Sequence, residues 1–254
     1  MRIFLLLLAF LSTPSLSWAS ATSLFSELKQ TVFQIRVIDI ASGDKFTIGS
    51  GFQISEQGHI ATNFHVVSPY VHDPDKYRLE FVRTTQSKHA TSEEIIQPAQ
   101  LLTFDVIHDL ALLTINNTDN SQHDFLALSD QPLNKGDRIY SMGNPHDLGM
   151  TIIEGNYNGL LQASRYQKIL FSGSLNPGMS GGPAINTQGK VIGINVSTQG
   201  SEISYLVPVS YLQALIKETD TLAISPPPSH IPKNAKDRSK QPLHKALTNN
   251  QHIF

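Results

Sequence analysis

The stretch with the strongest chemical signal is Asn-Pro-Gly-Met-Ser-Gly-Gly-Pro at positions 176–183. A nucleophilic serine needs an exposed hydroxyl and two backbone N–H groups directed at the oxygen that becomes negative during attack. Closely spaced glycines allow the tight turn that supplies those groups. Ser180 is therefore the candidate nucleophile, and the N–H groups of Gly178 and Ser180 are the candidate oxyanion donors. The alternative is a glycine-rich hairpin turn that holds an ordinary serine.

A second candidate group is the imidazole of His65, in the segment Ile-Ala-Thr-Asn-Phe-His-Val-Val at positions 60–67. A histidine that ends an apolar strand can lie at the lip of a cleft, where it accepts the serine proton and returns it to the leaving amine. The alternative is a structural histidine beside an apolar strand.

A third candidate is Asp109, which directly precedes the apolar run Leu-Ala-Leu-Leu at positions 110–113. Such an acid is either a solvent-facing residue where a strand begins or a buried carboxylate that fixes the histidine tautomer and stabilises the imidazolium. Asp105 is the rival for this role. Asp109 is preferred because it abuts the strand.

The three candidates follow one another as His65, Asp109 and Ser180 along the chain. This order distinguishes chymotrypsin-like enzymes from subtilisin-like enzymes and from α/β-hydrolases. Their joint occurrence makes coincidence a poor explanation of the three motifs.

The elements that must position these residues are mostly strands. Short runs of β-branched and aromatic residues, separated by Gly, Asn, Asp and Pro, predict an antiparallel barrel or sandwich. A polar stretch at 116–130 is the candidate crossing between two barrels, and helices are predicted near 24–30 and 210–218. The clearest predicted strands are 32–40, 46–54, 77–83, 110–115, 138–142 and 190–196.

On these motifs, the sequence resembles the HtrA-type branch of bacterial trypsin-like proteases over most of residues 24–218. The resemblance is carried by Gly-Ser-Gly-Phe at 49–52, Ala-Thr-Asn-Phe-His-Val-Val at 61–67, Asp-Leu-Ala-Leu-Leu at 109–113, Met-Gly-Asn-Pro at 142–145, the octapeptide at 176–183 and Gly-Lys-Val-Ile-Gly-Ile-Asn at 189–195.

The resemblance implies an all-β fold of two perpendicular six-stranded antiparallel barrels with a C-terminal helix. The protease domain would span 22–222, with the first barrel at about 30–115, the second at about 133–208 and the helix at about 210–218. His65 and Asp109 would lie on the first barrel and Ser180 on the second. Peptide hydrolysis would then proceed through an acyl-enzyme, without metal or organic cofactor. The competing hypothesis is an inactive protease-fold protein that binds extended peptides by strand addition.

The resemblance also indicates which residues would line the primary specificity pocket. These belong to segments 172–175 and 194–198, neither of which contains a charged residue. A small or medium apolar side chain is therefore expected on the acyl side of the cut, and a preference for Arg or Lys is not. The candidate substrate-binding residues are Ser174, Leu175, Val196, Ser197 and Thr198.

Two further features are weighed against alternatives. The segment His-Asp-Pro-Asp at 72–75 could suggest a cation site, but a solvated loop is the preferred interpretation. Met179 stands where the family often has Asn and where animal enzymes have an Asp that pairs with a newly cut N-terminus. The resemblance therefore implies that no activation by that ion pair operates here.

The ends of the chain predict export. Residues 1–19 combine Arg2, an apolar run and small residues, which is typical of a cleaved secretory signal peptide. The absence of cysteine and the bacterial resemblance favour the periplasm or the cell exterior. No membrane-spanning segment is expected after cleavage.

The region after the predicted helix is polar and basic. Residues 223–254 contain few large apolar side chains and are predicted to be a disordered tail, too short for the PDZ domain that usually follows an HtrA-type protease. Net charge over the chain is −2. Polypeptide substrates are the predicted partners, nucleic acid is not, and a homo-oligomer stays open.

Overall fold

The computed structural model describes residues 20–86, 92–115, 124–161, 166–199 and 203–224, with the backbone alone at 84–86, 92–93, 197–199 and 221–224. Both barrels lie in one compact unit that ends at Ile216. A second unit begins at Lys217, and its described part is the end of the last helix.

The helices are α1 (Ala21–Leu28), α2 (Phe64–His72) and α3 (Val209–Ile224), with 3₁₀ turns at Lys29–Thr31 and Pro145–Asp147. The strands are β1 (Val32–Asp39), β2 (Lys45–Gln53), β3 (His59–Thr62), β4 (Tyr77–Gln86), β5 (Ser92–Asp105), β6 (Leu110–Ile115), β7 (Arg138–Gly143), β8 (Thr151–Leu161), β9 (Lys168–Phe171), β10 (Pro183–Ile185), β11 (Val191–Gln199) and β12 (Ile203–Pro208).

The first barrel closes in the strand order β1-β2-β3-β6-β5-β4 with antiparallel pairing. Side chains alternate along β1, as the pleat of a strand requires. Phe33, Ile35 and Val37 pack inside the barrel, while Gln34 and Arg36 make side-chain hydrogen bonds to Asp147. Two polar side chains on the outer face of β1 are therefore buried and bonded to a loop of the second barrel.

The second barrel closes in the order β10-β11-β12-β9-β8-β7, also antiparallel. Its interior is filled by apolar side chains, among them Phe171 and Ile139, both 0% exposed. The ring of Phe171 lies over Gly155 and Gly173, where a Cβ atom would collide with it.

A further apolar core lies between the barrels. Phe52 and Leu112 from the first barrel pack in one buried cluster with Met142 and Ile194 from the second. The chain segment between the two barrels is hydrogen-bonded to both. The N–H of Leu126 donates to the Gln53 carbonyl of the first barrel, and residues 127 and 129 bond to the backbone of Val191 in the second. This packing fixes the relative position of residues that lie on different barrels.

The structure confirms the predicted two six-stranded antiparallel barrels and C-terminal helix. Helix α3 is longer than predicted, running from Val209 to Ile224 rather than from 210 to 218. The predicted signal peptide at 1–19 lies outside the described residues, as does the predicted tail apart from its first two residues, whose backbone belongs to α3. In the described part of the chain, no helix is long and apolar enough to cross a membrane.

Candidate active site

His65 is the second residue of helix α2, since strand β3 already ends at Thr62. The prediction that His65 ends an apolar strand is therefore wrong. Pro69 lies inside this helix and has no N–H to donate to the His65 carbonyl. The hydroxyl of Ser68 donates to that carbonyl instead, at 3.1 Å, and the helix continues.

Asp109 holds His65 in two places at once. Its Oδ2 lies 2.7 Å from Nδ1 of the imidazole, and its Oδ1 accepts the backbone N–H of His65 at 2.8 Å. That N–H is one of the first-turn donors that a helix leaves without an intrahelical acceptor. Asp109 itself has φ of 56°, a left-handed conformation that Asp tolerates better than most residues. A single carboxylate thus orients the ring and caps the helix that carries it.

The rival acid, Asp105, is engaged with a different histidine. Its Oδ2 lies 2.5 Å from Nδ1 of His108, and its Oδ1 accepts the N–H groups of Ile107 and His108. Burial raises the pKa of Asp105, but the hydrogen bonds and charge of His108 outweigh it and hold that pKa below its usual value. Asp105 therefore shapes the turn that precedes Asp109.

An aromatic group covers this turn. The ring of His108 stacks on Tyr211 at 4.0 Å between centroids and meets Tyr166 edge to face at 5.3 Å. Burial, together with the negative charge of Asp109, raises the pKa of Tyr166 to about 12. Two tyrosine rings thus pack against His108 in the turn that precedes Asp109.

The nucleophile loop is built on a turn at 176–179. The N–H of Met179 donates to the Asn176 carbonyl at 3.0 Å, and Gly178 has φ of 96°. Proline at the second position and a positive φ at the third define a type II turn. The side chain of Met179 is fully buried in the second barrel, which anchors the loop immediately before Ser180.

The direction of the Gly178 N–H is set by a neighbouring loop. The N–H of His146 donates to the Pro177 carbonyl at 2.8 Å. In a trans peptide the C=O and the following N–H point in opposite directions, so this bond turns the Gly178 N–H away from His146. Among the described residues, neither the Gly178 N–H nor the Ser180 N–H has an acceptor.

The hydroxyl of Ser180 donates to the Val196 carbonyl at 2.7 Å. Within the part of the chain that the structure describes, no hydrogen bond joins Ser180 to His65. The two segments are nevertheless adjacent, since a Cβ at Gly181 would lie 3.0 Å from the backbone nitrogen of Asn63.

Ser50 is a functional residue that the sequence reasoning missed. It is fully buried on β2, and its N–H donates to the Ser180 carbonyl at 2.7 Å. Its hydroxyl donates to the Gly178 carbonyl at 2.7 Å and accepts the Asn144 N–H at 3.0 Å. The flanking glycines in Gly-Ser-Gly at 49–51 were the available signal, because they permit close backbone approach.

Asn195 is a second such residue. Its side-chain amide donates to the carbonyls of Met142 and Met179 at 2.9 and 3.2 Å, and its Oδ1 accepts the Ser141 hydroxyl. Its backbone carbonyl accepts the Gly181 N–H. Asn195 therefore secures both sides of the nucleophile from inside the second barrel.

The predicted substrate-binding residues differ in burial and in bonding. Ser174 is exposed, whereas Leu175 is 4% exposed and packs in the core of the second barrel. Val196 accepts the Ser180 hydroxyl through its backbone. Ser197 and Thr198 have their backbone in β11, and their side chains lie outside the described residues. The Leu175 side chain packs in the barrel core, and substrate binding by the five residues stays a prediction.

The segment at 72–75 shows local bonding only. His72 Nδ1 contacts the Ser68 carbonyl at 2.6 Å, and Asp73 ends helix α2 through its N–H. No group of three or more His, Asp or Glu side chains able to hold a metal ion occurs in the described ranges.

The two closed six-stranded antiparallel barrels define the chymotrypsin-like class of fold, with the His65–Asp109 pair on the first barrel and the Ser180 loop on the second. Residues 49–194 match the family described as "Trypsin-like peptidase domain", and the chain belongs to that family.

Curated relatives agree with the family. The chain is 32% identical over 180 residues to the probable periplasmic serine endoprotease DegP-like of Brucella suis, covering 67% of this chain and 32% of the relative. It is 26% identical over 204 residues to Protease Do-like 1, chloroplastic, of Arabidopsis thaliana, covering 75% and 42%. The chain thus spans less than half the length of these relatives.

Solved structures share the fold. The crystal structure of Deg5 superposes with a TM-score of 0.63 at 24% identity, covering 76% of this chain and 90% of that one. The serine endoprotease from Yersinia pestis gives a TM-score of 0.63 at 24% identity, covering 79% and 66%.

Replacing Ser50 with Ala should lower the free energy of unfolding by about 1–3 kcal/mol, because the Asn144 N–H and the Gly178 carbonyl would lose a buried partner. Urea unfolding followed by circular dichroism measures this. Ser42→Ala, at an exposed loop serine, is the matched control and should change the free energy little. Equal effects of the two substitutions would contradict the bridging role of Ser50.

Proposed function

We propose that this chain is a serine endopeptidase in which His65, Asp109 and Ser180 form the catalytic triad. The observation that carries the proposal is the double hydrogen bond of Asp109 to His65, beside a serine whose neighbouring N–H groups have no acceptor in the described chain. Family membership and serine-protease relatives support it as well.

The first chemical step would be attack on the peptide carbonyl. The Ser180 hydroxyl leaves the Val196 carbonyl, its proton passes to Nε2 of His65, and Oγ forms a bond to the carbonyl carbon. Asp109, accepting from Nδ1, keeps Nε2 unprotonated before attack and stabilises the imidazolium afterwards. The N–H groups of Gly178 and Ser180 would bind the oxyanion.

Two further steps would complete hydrolysis. The imidazolium gives its proton to the leaving amine, the C–N bond breaks, and an acyl-enzyme on Ser180 is formed. Water then loses a proton to His65 as its oxygen bonds to the ester carbon. The ester C–O bond to Ser180 breaks, the carboxylic acid product is released, and the proton on His65 restores the Ser180 hydroxyl.

The inferred substrates are exposed or misfolded polypeptides outside the cytoplasm. Export through a cleaved signal peptide at 1–19 is part of the proposal, supported by the sequence and by the similarity to a probable periplasmic relative. Small or medium apolar residues are proposed on the acyl side of the cut, because segments 172–175 and 194–198 are uncharged.

A fluorophosphonate probe should label the wild-type chain and fail to label Ser180→Ala, because the probe reacts with the activated serine oxygen. Labelled protein is measured by in-gel fluorescence, and Ser42→Ala should label like the wild type. Labelling that persists in Ser180→Ala would refute the nucleophile. Absence of labelling in both, even with added peptide, would favour the alternative of a peptide-binding protein.

Asp109→Asn should lower kcat by about 10⁴-fold. Asn also tolerates the left-handed backbone, and its oxygen can still accept the His65 N–H. Its amide would then face Nδ1 as a donor and leave the ring proton on Nε2, where it blocks proton transfer from serine. Steady-state peptide cleavage measures kcat. Asp105→Asn is the matched control, and a loss under about tenfold in Asp109→Asn would reassign the acid.

Cleavage of a random peptide library should give a profile led by small and medium apolar residues on the acyl side of the cut. The reason is that no charged side chain occurs in the two segments that would line the pocket. Mass spectrometry of the products measures the profile. Dominance of Arg, Lys or Glu at that position would refute the proposed specificity.

A further inference from the structure

The loop between β7 and β8 supports the Gly178 peptide directly. Its His146 N–H holds the Pro177 carbonyl at 2.8 Å, and the Asn144 carbonyl lies so close to Gly178 that a Cβ there would collide with it. Any change in this loop is therefore transmitted to the direction of the Gly178 N–H.

The same loop has an unfavourable backbone. His146 and Asp147 have φ of 52° and 61°, in the left-handed region that favours glycine. Two consecutive non-glycine residues in that region need contacts from elsewhere to hold them there. The loop is thus a place where removal of outside contacts should change the conformation.

Those outside contacts come from the first barrel and converge on the Asp147 carboxylate. Oδ1 accepts Nε2 of Gln34 at 2.6 Å and lies 3.4 Å from Nη2 of Arg36. Oδ2 pairs with Nζ of Lys45. Strands β1 and β2 therefore hold the loop through their contacts with the Asp147 side chain.

Arg36 is the buried centre of the network. Its side chain is 4% exposed, and its Nη1 and Nη2 form two hydrogen bonds to Glu94, at 2.8 and 2.6 Å. Its Nε donates to Oε1 of Gln34. The cations Arg36 and Lys45 are thus balanced by the carboxylates of Glu94 and Asp147. Loss of one carboxylate leaves excess positive charge beside the buried Arg36 side chain.

Asp147 is ionised at neutral pH in this setting. Burial raises its pKa, but hydrogen bonds from Lys45 and Gln34 and the charges of Lys45 and Arg36 outweigh it and hold that pKa below its usual value. A test near pH 7 must therefore remove the charge by substitution.

We propose that Asp147 and Arg36 are positioning residues for the oxyanion site, joining the first barrel to the loop that orients the Gly178 N–H. Neither side chain contacts the Ser180 hydroxyl or the His65 ring; both act through His146 and Pro177. The inference rests on the proposed peptidase function. It deepens that function by naming what directs the Gly178 N–H toward the oxyanion. That direction depends on the ion-pair network between Asp147 and the first barrel.

Asp147→Asn is the sharpest variant, because Asn keeps the size of the side chain and tolerates the left-handed backbone. We expect kcat to fall by about 10- to 100-fold with KM nearly unchanged, since deleting an oxyanion donor costs about 10²- to 10³-fold and misdirecting one should cost less. Steady-state peptide cleavage at a temperature where circular dichroism shows the variant fully folded measures both constants.

Two companion variants separate positioning from general stability. Lys45→Met removes the cation that pairs with Oδ2 of Asp147, at a half-exposed site. It should lower kcat by a smaller factor than Asp147→Asn does. The double variant should lose less activity than the two single effects combined. Glu154→Gln removes a carboxylate from the exposed pair of Arg138 on β7 and Glu154 on β8, 3.1 Å apart and without a hydrogen bond or ion pair to the loop. It should leave kcat unchanged.

A second readout does not need catalysis. In a Ser180→Ala background, hydrogen exchange of the His146 amide, followed by mass spectrometry of peptides covering 144–149, should be at least about tenfold faster in Asp147→Asn and unchanged in Glu154→Gln. Unchanged exchange in Asp147→Asn overturns the proposal, as does faster exchange with an unchanged kcat. Failure of the peptidase proposal would show separately, as wild-type protein that the probe does not label, and the exchange result would still decide whether the network holds the loop.

Discussion

Ser50 makes the hydrogen bonds that join the first barrel to the nucleophile loop. Its N–H and hydroxyl hold the carbonyls of Ser180 and Gly178, and its own carbonyl accepts the hydroxyl of Thr62. Each barrel is closed and can satisfy its own backbone, so nothing within either barrel sets the position of one relative to the other. Apolar packing between the barrels supplies the attraction, and these directional hydrogen bonds fix the position of the serine loop relative to the first barrel.

The two halves of the site are stabilised by different means. On the first barrel, a carboxylate caps α2 and holds the His65 ring, so helix formation and ring orientation depend on the same group. On the second, the backbone of the nucleophile loop is held by neighbours, namely Ser50, Asn195 and His146. The loop thereby keeps the Gly178 N–H and the Ser180 N–H directed away from protein acceptors, as an oxyanion site requires.

The glycines of the loop matter because backbone approaches backbone. A Cβ at Gly178 would meet the Asn144 carbonyl, and one at Gly181 would meet the Ser50 carbonyl and the Thr62 hydroxyl. Both glycines also have positive φ. The short motif around Ser180 is therefore constrained by contacts with both barrels, which is why its residue types are so characteristic in the sequence.

The sequence by itself determined a strand-rich antiparallel fold, the order of His65, Asp109 and Ser180, and the turn around the serine. These depend on hydrophobic alternation and on residues close together along the chain, where spacing and turn chemistry are sufficient. Only the tertiary structure decided that His65 lies on a helix despite Pro69, and that Asp109 meets His65 while Asp105 meets His108. It also decided the roles of Ser50 and Asp147, because their partners lie on the other barrel, roughly a hundred residues away in the chain, and such pairings leave no periodic signal in a single sequence.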